Sequence, residues 1–257
     1  MRSPSPVRVT LLIGLLATCQ GCTYASDEAD TVGLVAGRPQ TFELTSTSPA
    51  AGASDVSPNS PIDLVFSVPP DSDTVNSASV RVFAGLIETL GYLHVDLLDR
   101  RIRFTPTEPL RPRLRHQVYV HRSLTGLNGA QLVQTVVFNF TTGQEDRLPP
   151  PPPPAAVDPA AVQAVWDRHC SSCHSPPGAP DGVDLSSPQT ARLSLWGAPS
   201  AHPGRLRVDP GSHASSYLML KLLGVGGFVG FPMPPADPTL PRDALRRIAS
   251  WIDEGAP

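Results

Sequence analysis

Cysteine is scarce in this 257-residue chain, which has four, at positions 19, 22, 170 and 173. With so few, Cys170 and Cys173 have no second cysteine pair beside them, as a four-ligand zinc site would usually need. Aromatics make up only 6 % of the residues, so any core must rest on Leu, Val, Ile and Ala. The 20 basic and 23 acidic residues leave a formal charge of −3 and form no dense basic patch, so no nucleic-acid partner is expected. Long apolar runs are missing too. The longest candidate, "VTLLIGLLAT", has about ten residues, against the ~20 that a membrane-spanning helix needs. Proline is the residue in excess, with 31 positions. That is about 12 %, against a usual ~5 %, and it favours turns, sheet edges and linkers over long helices.

The apolar run follows Arg2 and Arg8 and suits the central region of an export signal. It closes in "LLATCQGC", which resembles the lipobox of bacterial lipoproteins. Gly21 before Cys22 fits that pattern better. Cys19, with Leu16, Ala17 and Thr18 before it, is the alternative lipidation site. The expectation is a signal peptide over residues 1–22 and a lipid anchor on Cys22, with an ordinary cleaved signal as the plainer reading. The location implied is the bacterial cell envelope, facing the periplasm or the surface.

Residues 23–40 are small and polar and read as a flexible tether. From 41 to 143 the pattern alternates with period two. In "PIDLVFS" Ile62, Leu64 and Phe66 share one face and Asp63 and Ser67 the other. Ile102 and Phe104 repeat the scheme, as do Val136, Phe138 and Phe140, with Pro- and Gly-containing turns between the runs. Short strands at this spacing predict an antiparallel β-sandwich. The stretches "TSPAAGASDVSPNSPIDLVFSVPPD", "IRFTPTEPLRPRLRHQVYV", "LNGAQL" and "FNFTTG" resemble the bacterial Ig-like domains of cell-surface proteins. The Pro-Gly that often precedes a strand in that family is missing from "LRPRLRHQVYV". Within this segment Asp63, Asp71 and Asp73 read as solvated strand and turn acids rather than calcium ligands. His94, His116 and His121 read as strand-surface residues.

Six consecutive prolines, Pro149 to Pro154, lie within residues 144–156. They predict a semi-rigid polyproline II spacer of about 19 Å, at ~3.1 Å per residue. After it the period becomes helical. Asp158 can cap a helix whose first residue is Pro159 and whose apolar face carries Val162, Val165 and Trp166. A second helix is expected in "SSYLMLKLL", with Leu218 and Leu222 four apart. A third is expected in "PRDALRRIASWIDEG", with Leu245, Ile248, Ala249 and Ile252 in a stripe and Gly255 as terminator. Trp251 and Ile252 should pack against Val165 and Trp166. Three short helices bury little by themselves, and a large flat apolar cofactor would supply the missing core.

The first of these helices runs into Cys170-Ser171-Ser172-Cys173-His174. C-x-x-C-H is the attachment signature of c-type haem. Two thiols at this spacing reach the two vinyl groups on one porphyrin edge, and the following histidine stands beneath the iron. A disulfide across two residues would constrain almost no chain. A redox-active one would want a βαβ context that is not evident here. Met233, in "GFVGFPMPP", is the expected second axial ligand, and a thioether there raises the reduction potential. Met219 is the lesser candidate, and His202 or His213 would instead give a bis-histidine haem. "HCSSCHSPPG", "LRVDPGSHASSYLMLKLLG", "FPMPP" and "RRIASWIDEGAP" resemble small monohaem cytochromes c, nearest to planctomycete-type haem domains. That resemblance implies a haem crevice and electron transfer.

The sequence therefore predicts a multidomain lipoprotein: an all-β Ig-like sandwich, a polyproline linker and a small all-α cytochrome c domain over residues 157–257. One covalent haem c would sit on Cys170, Cys173, His174 and Met233. The protein would be an electron carrier and not an enzyme, served by an unidentified redox partner protein and held to a membrane by its lipid. Two alternatives are a surface binding protein acting through the sandwich with an accessory haem, and the electron-accepting subunit of a separate dehydrogenase.

Overall fold

A computed structural model of the chain describes residues 41–144, 156–235 and 240–257. The expected signal peptide, the lipidation sites Cys22 and Cys19, the tether and the proline run all lie outside these residues. Eight strands fill the first segment: β1 (Leu44–Ser48), β2 (Ile62–Phe66), β3 (Val80–Ala84), β4 (Ile87–Thr89), β5 (Gly91–Asp96), β6 (Arg101–Pro106), β7 (Arg115–Val120) and β8 (Val136–Thr141). They form two four-stranded sheets, ordered β1-β2-β6-β5 and β4-β3-β7-β8. Every pairing within them is antiparallel.

The period-two pattern becomes the core. Ile62, Leu64, Phe66, Ile102 and Phe104 of one sheet face Val80, Val82, Val118, Val120, Phe138 and Phe140 of the other, and all eleven are buried. Phe42 stacks on Phe66 with centroids 4.8 Å apart. His116, expected on the surface, is buried instead. Its place on β7 has the same parity as Val118 and Val120, so it must face inward. The ring lies flat against Phe140, and one ring nitrogen meets the Arg111 carbonyl at 3.1 Å. Burial lowers its pKa and favours the neutral ring.

Four helices follow: α1 (Pro159–His169), α2 (Pro188–Leu195), α3 (Tyr217–Leu223) and α4 (Arg242–Asp253). Asp158 caps α1 by accepting from Ala160 N–H. α2 was not anticipated, because Pro188 and a mixed polar run hid it. Ser187 and Thr190 form a reciprocal capping box at its start. Trp166 of α1 and Trp251 of α4 meet edge to face, with centroids 6.4 Å apart, as the apolar stripes predicted. Among the described residues, no helix is long and apolar enough to cross a membrane.

The sandwich and the helices touch. The Arg246 guanidinium donates to Asp96 at 2.8 Å and to Asp99 at 2.9 Å, and Arg242 also reaches Asp99. On another part of the interface Arg205 donates to Asp73 at 2.8 Å and to Asp71 at 3.3 Å. Asp63 pairs with Arg103 within the sandwich. The three acids read as solvated are therefore all ion-paired.

Asp96 is 5 % exposed. Burial alone would raise its pKa, but the Asp99 amide and the Arg246 guanidinium outweigh it and hold the carboxyl at about 2. A carboxylate depressed in the folded state stabilises fully above its unfolded pKa of about 4 and loses that contribution as pH falls towards 2. Arg246→Ala should cost about 1–3 kcal/mol at pH 7 and shrink the loss between pH 4 and pH 2. Urea unfolding followed across that range reads both.

Candidate functional site

α1 ends where the two cysteines begin, and the chain keeps turning. Cys170 N–H donates to Trp166 O at 2.8 Å, and His174 N–H donates to Cys170 O at 2.9 Å. One turn thus presents Cys170, Cys173 and His174 together. Both thiols are free, Cys170 half-buried and Cys173 exposed. Burial, then the neighbouring Cys173, pushes the Cys170 thiol up to about 12. Cys170 therefore stays a protonated thiol at neutral pH.

His174 is oriented by the loop that follows it. Its Nδ1 lies 3.1 Å from the Val183 carbonyl. A carbonyl only accepts, so Nδ1 carries the proton and Nε2 keeps its lone pair. The loop is held in return: Leu185 N–H donates to His174 O at 2.8 Å and Ser171 Oγ to Leu185 O at 3.0 Å. This backbone partner was not legible in the sequence, since a carbonyl has no residue signature.

Met233 lies on the loop after α3, half-buried against the helical core. Its N–H donates to Lys221 O at 2.9 Å. Met219 is fully buried in the core, where it acts as filler. Partly buried Val183, Leu218, Leu223 and Val225 pack on the same core as Cys170 and Met233. A nitrogen with a free lone pair, a thioether and two unjoined thiols make a donor set suited to haem c. The residues present therefore fit that group.

A second cluster invites a metal reading and fails it. His94, His213 and Asp253 place their ligand atoms within 4.8 Å of one another. Yet His213 is fully committed. Its Nε2 accepts the Leu97 N–H at 3.2 Å, so its proton sits on Nδ1, which donates to Asp253 Oδ2 at 2.8 Å. A metal on Nδ1 would have to strip that proton and leave the ring anionic. The cluster instead joins the sandwich to the helices. His202 turns Nδ1 onto the Pro203 carbonyl at 2.9 Å.

Residues 39–142 match the family of bacterial Ig-like domains. This part of the chain is a bacterial Ig-like domain. Ig-like domains of this family are typical of extracellular or surface proteins. No curated protein matches the chain. Among solved structures, L,D-transpeptidase 1 of Mycobacterium tuberculosis is 25 % identical, over 39 % of this chain and 38 % of its own, with a TM-score of 0.28. The copper resistance protein PcoC of Escherichia coli is 18 % identical, over 39 % of this chain and 98 % of its own, with a TM-score of 0.33. The S-layer protein SbsC is 16 % identical, over 45 % of this chain and 14 % of its own, with a TM-score of 0.32. Likeness at this level says nothing of what this chain binds.

Because His213 is 2 % exposed and serves two partners, His213→Leu should cost about 1–3 kcal/mol by orphaning the Leu97 amide and a carboxylate. His94 is 3.7 Å from Asp253 with 49 % of its side chain exposed, so His94→Leu should change stability by less than about 0.5 kcal/mol. Chemical denaturation of the two variants separates the roles.

Proposed function

We propose that residues 157–257 form a monohaem cytochrome c domain, and that the protein transfers single electrons at the bacterial cell envelope. The observation that carries this reading is the turn holding Cys170, Cys173 and His174, with His174 Nδ1 engaged by Val183 and Nε2 left free. Cys170 and Cys173 would hold the haem through thioethers, and His174 and Met233 would be its axial ligands. When bound, the haem supplies one-electron exchange between Fe(III) and Fe(II). The chain's own part is to hold the same two ligands in both states. Val183 fixes the plane and tautomer of His174. The loop between α3 and Met233 fixes the thioether. His174 and Met233 would together leave no place for substrate at the iron, so the reading is a carrier and not an enzyme. A lipid on Cys22, or on Cys19, would keep it at a membrane, and a separate protein would be its redox partner.

A second reading is a surface binding protein working through the Ig-like domain. It rests on Leu86, Ile87, Leu90 and Tyr92, which stand exposed along β4, the turns on either side of it and the start of β5. The electron-accepting subunit of a dehydrogenase is compatible with the first reading and differs only in the partner.

Matured protein should keep its haem through acid-acetone extraction and denaturing gels. Cys170→Ala with Cys173→Ala should abolish covalent haem. Haem extracted freely from the unmutated protein would end the c-type assignment. Met233→Ala should remove the weak methionine–iron absorption band, lower the potential and open the iron to carbon monoxide.

A further inference from the structure

We propose that Lys221 is the positioning residue for Met233, clamping the loop that carries the thioether. This rests on the cytochrome reading above. Lys221 sits on the last turn of α3, and nothing in the haem motif points to it. Its main-chain carbonyl accepts the Met233 N–H at 2.9 Å. Its ammonium donates to the carbonyls of Val229 at 2.7 Å and Phe231 at 2.5 Å, and it lies 5.2 Å over the Phe228 ring. A single residue therefore ties the loop at positions 229, 231 and 233.

Between positions 229 and 233 the described side chains give the loop its polar anchors mainly through Lys221. Gly226 and Gly230 take positive φ of 77° and 74°, which glycine adopts freely and which leaves the chain loose. Pro232, Pro234 and Pro235 bring no N–H donor. Nearer α3, Val225 N–H donates to Leu220 O at 3.1 Å, and Val229 N–H donates to the Tyr217 hydroxyl at 2.9 Å. Among the described residues Lys221 makes no ion pair, so its charge goes into the two carbonyls. Charge-assisted bonds of this kind are about twice as strong as neutral ones. The thioether is a weak iron ligand, and its occupancy depends on how little the loop must be ordered to present it.

The test uses full-length, matured, haem-loaded protein carrying Lys221→Met, Lys221→Arg or Tyr217→Phe. Lys221→Met keeps the volume and removes the donors. With haem content equal to that of the unmutated protein, it should lose the methionine–iron band, or lose it at a clearly lower temperature. The reduced form should then take up carbon monoxide at least tenfold more readily. Lys221→Arg, whose guanidinium can serve both carbonyls, should restore the band. Tyr217→Phe should have a smaller effect of the same sign. If Lys221→Met fails to mature, the Arg and Phe variants still decide: a thermal midpoint of the band unchanged in Tyr217→Phe and lost in Lys221→Arg overturns the clamp. An unchanged band and midpoint in haem-loaded Lys221→Met overturns it too, as does an unmutated haem protein with no such band. Absence of covalent haem from the unmutated protein is a different result, since it removes the cytochrome reading itself.

Discussion

The buried carboxylate of Asp96 is where the two halves of this molecule are joined. One oxygen accepts the N–H groups of Leu98 and Asp99, closing the turn after β5. The other takes Arg101 of β6 and Arg246 of α4. A side chain at the end of an Ig-like strand thereby becomes the seat of the last helix. Asp96 without Arg246 would be a buried charge short of a partner, and such groups are costly. The docking of α4 follows, and with it that of α1, through Trp166 and Trp251.

The cytochrome reading asks for a helical frame around a small cofactor, and the four helices have between 7 and 12 residues each. The Ig-like domain offers them a wall. His213 receives an amide from Leu97, Ser72 donates to the Ala214 carbonyl, and Arg205 meets Asp71 and Asp73. The contacts describe modules that share a surface, with charge on both sides of it.

Much of the architecture was legible because it is local. Ile62, Leu64 and Phe66 announce their own face, and Asp158-Pro159 announces a helix start. That Cys170, Cys173 and His174 share one turn follows for the same reason, since five residues contain all three. The rest depends on distance or on backbone. Arg246 and Asp96 are 150 residues apart, and no local pattern marks either as a partner. Val183 acts through a carbonyl that every residue has. The capping box of α2 is local, in Ser187 and Thr190 with Pro188 as the first helical residue, but eight mixed polar residues give it little apolar period to stand out. His116 was misjudged although its parity on β7 was plain, because polarity was weighed above position.

The Ig-like domain contributes Asp71, Asp73, Asp96 and Asp99 to the shared surface, and the helical part contributes Arg205, Arg242 and Arg246. A chain that emerges with its N-terminus first presents these features in a fixed order. The β-strands can pair before the last hundred residues arrive, and the Ig-like domain then carries two acidic pairs, Asp71 with Asp73 and Asp96 with Asp99, whose arginine partners come from later in the chain. Asp96 is already held by its own turn and by Arg101, so the second pair is pre-shaped. The arginines come later, Arg205 on the loop between α2 and α3 and Arg242 and Arg246 on α4, a helix too short to persist alone. Acid on one side and arginine on the other, at two separate places, fix the orientation of the helical part as well as its attachment.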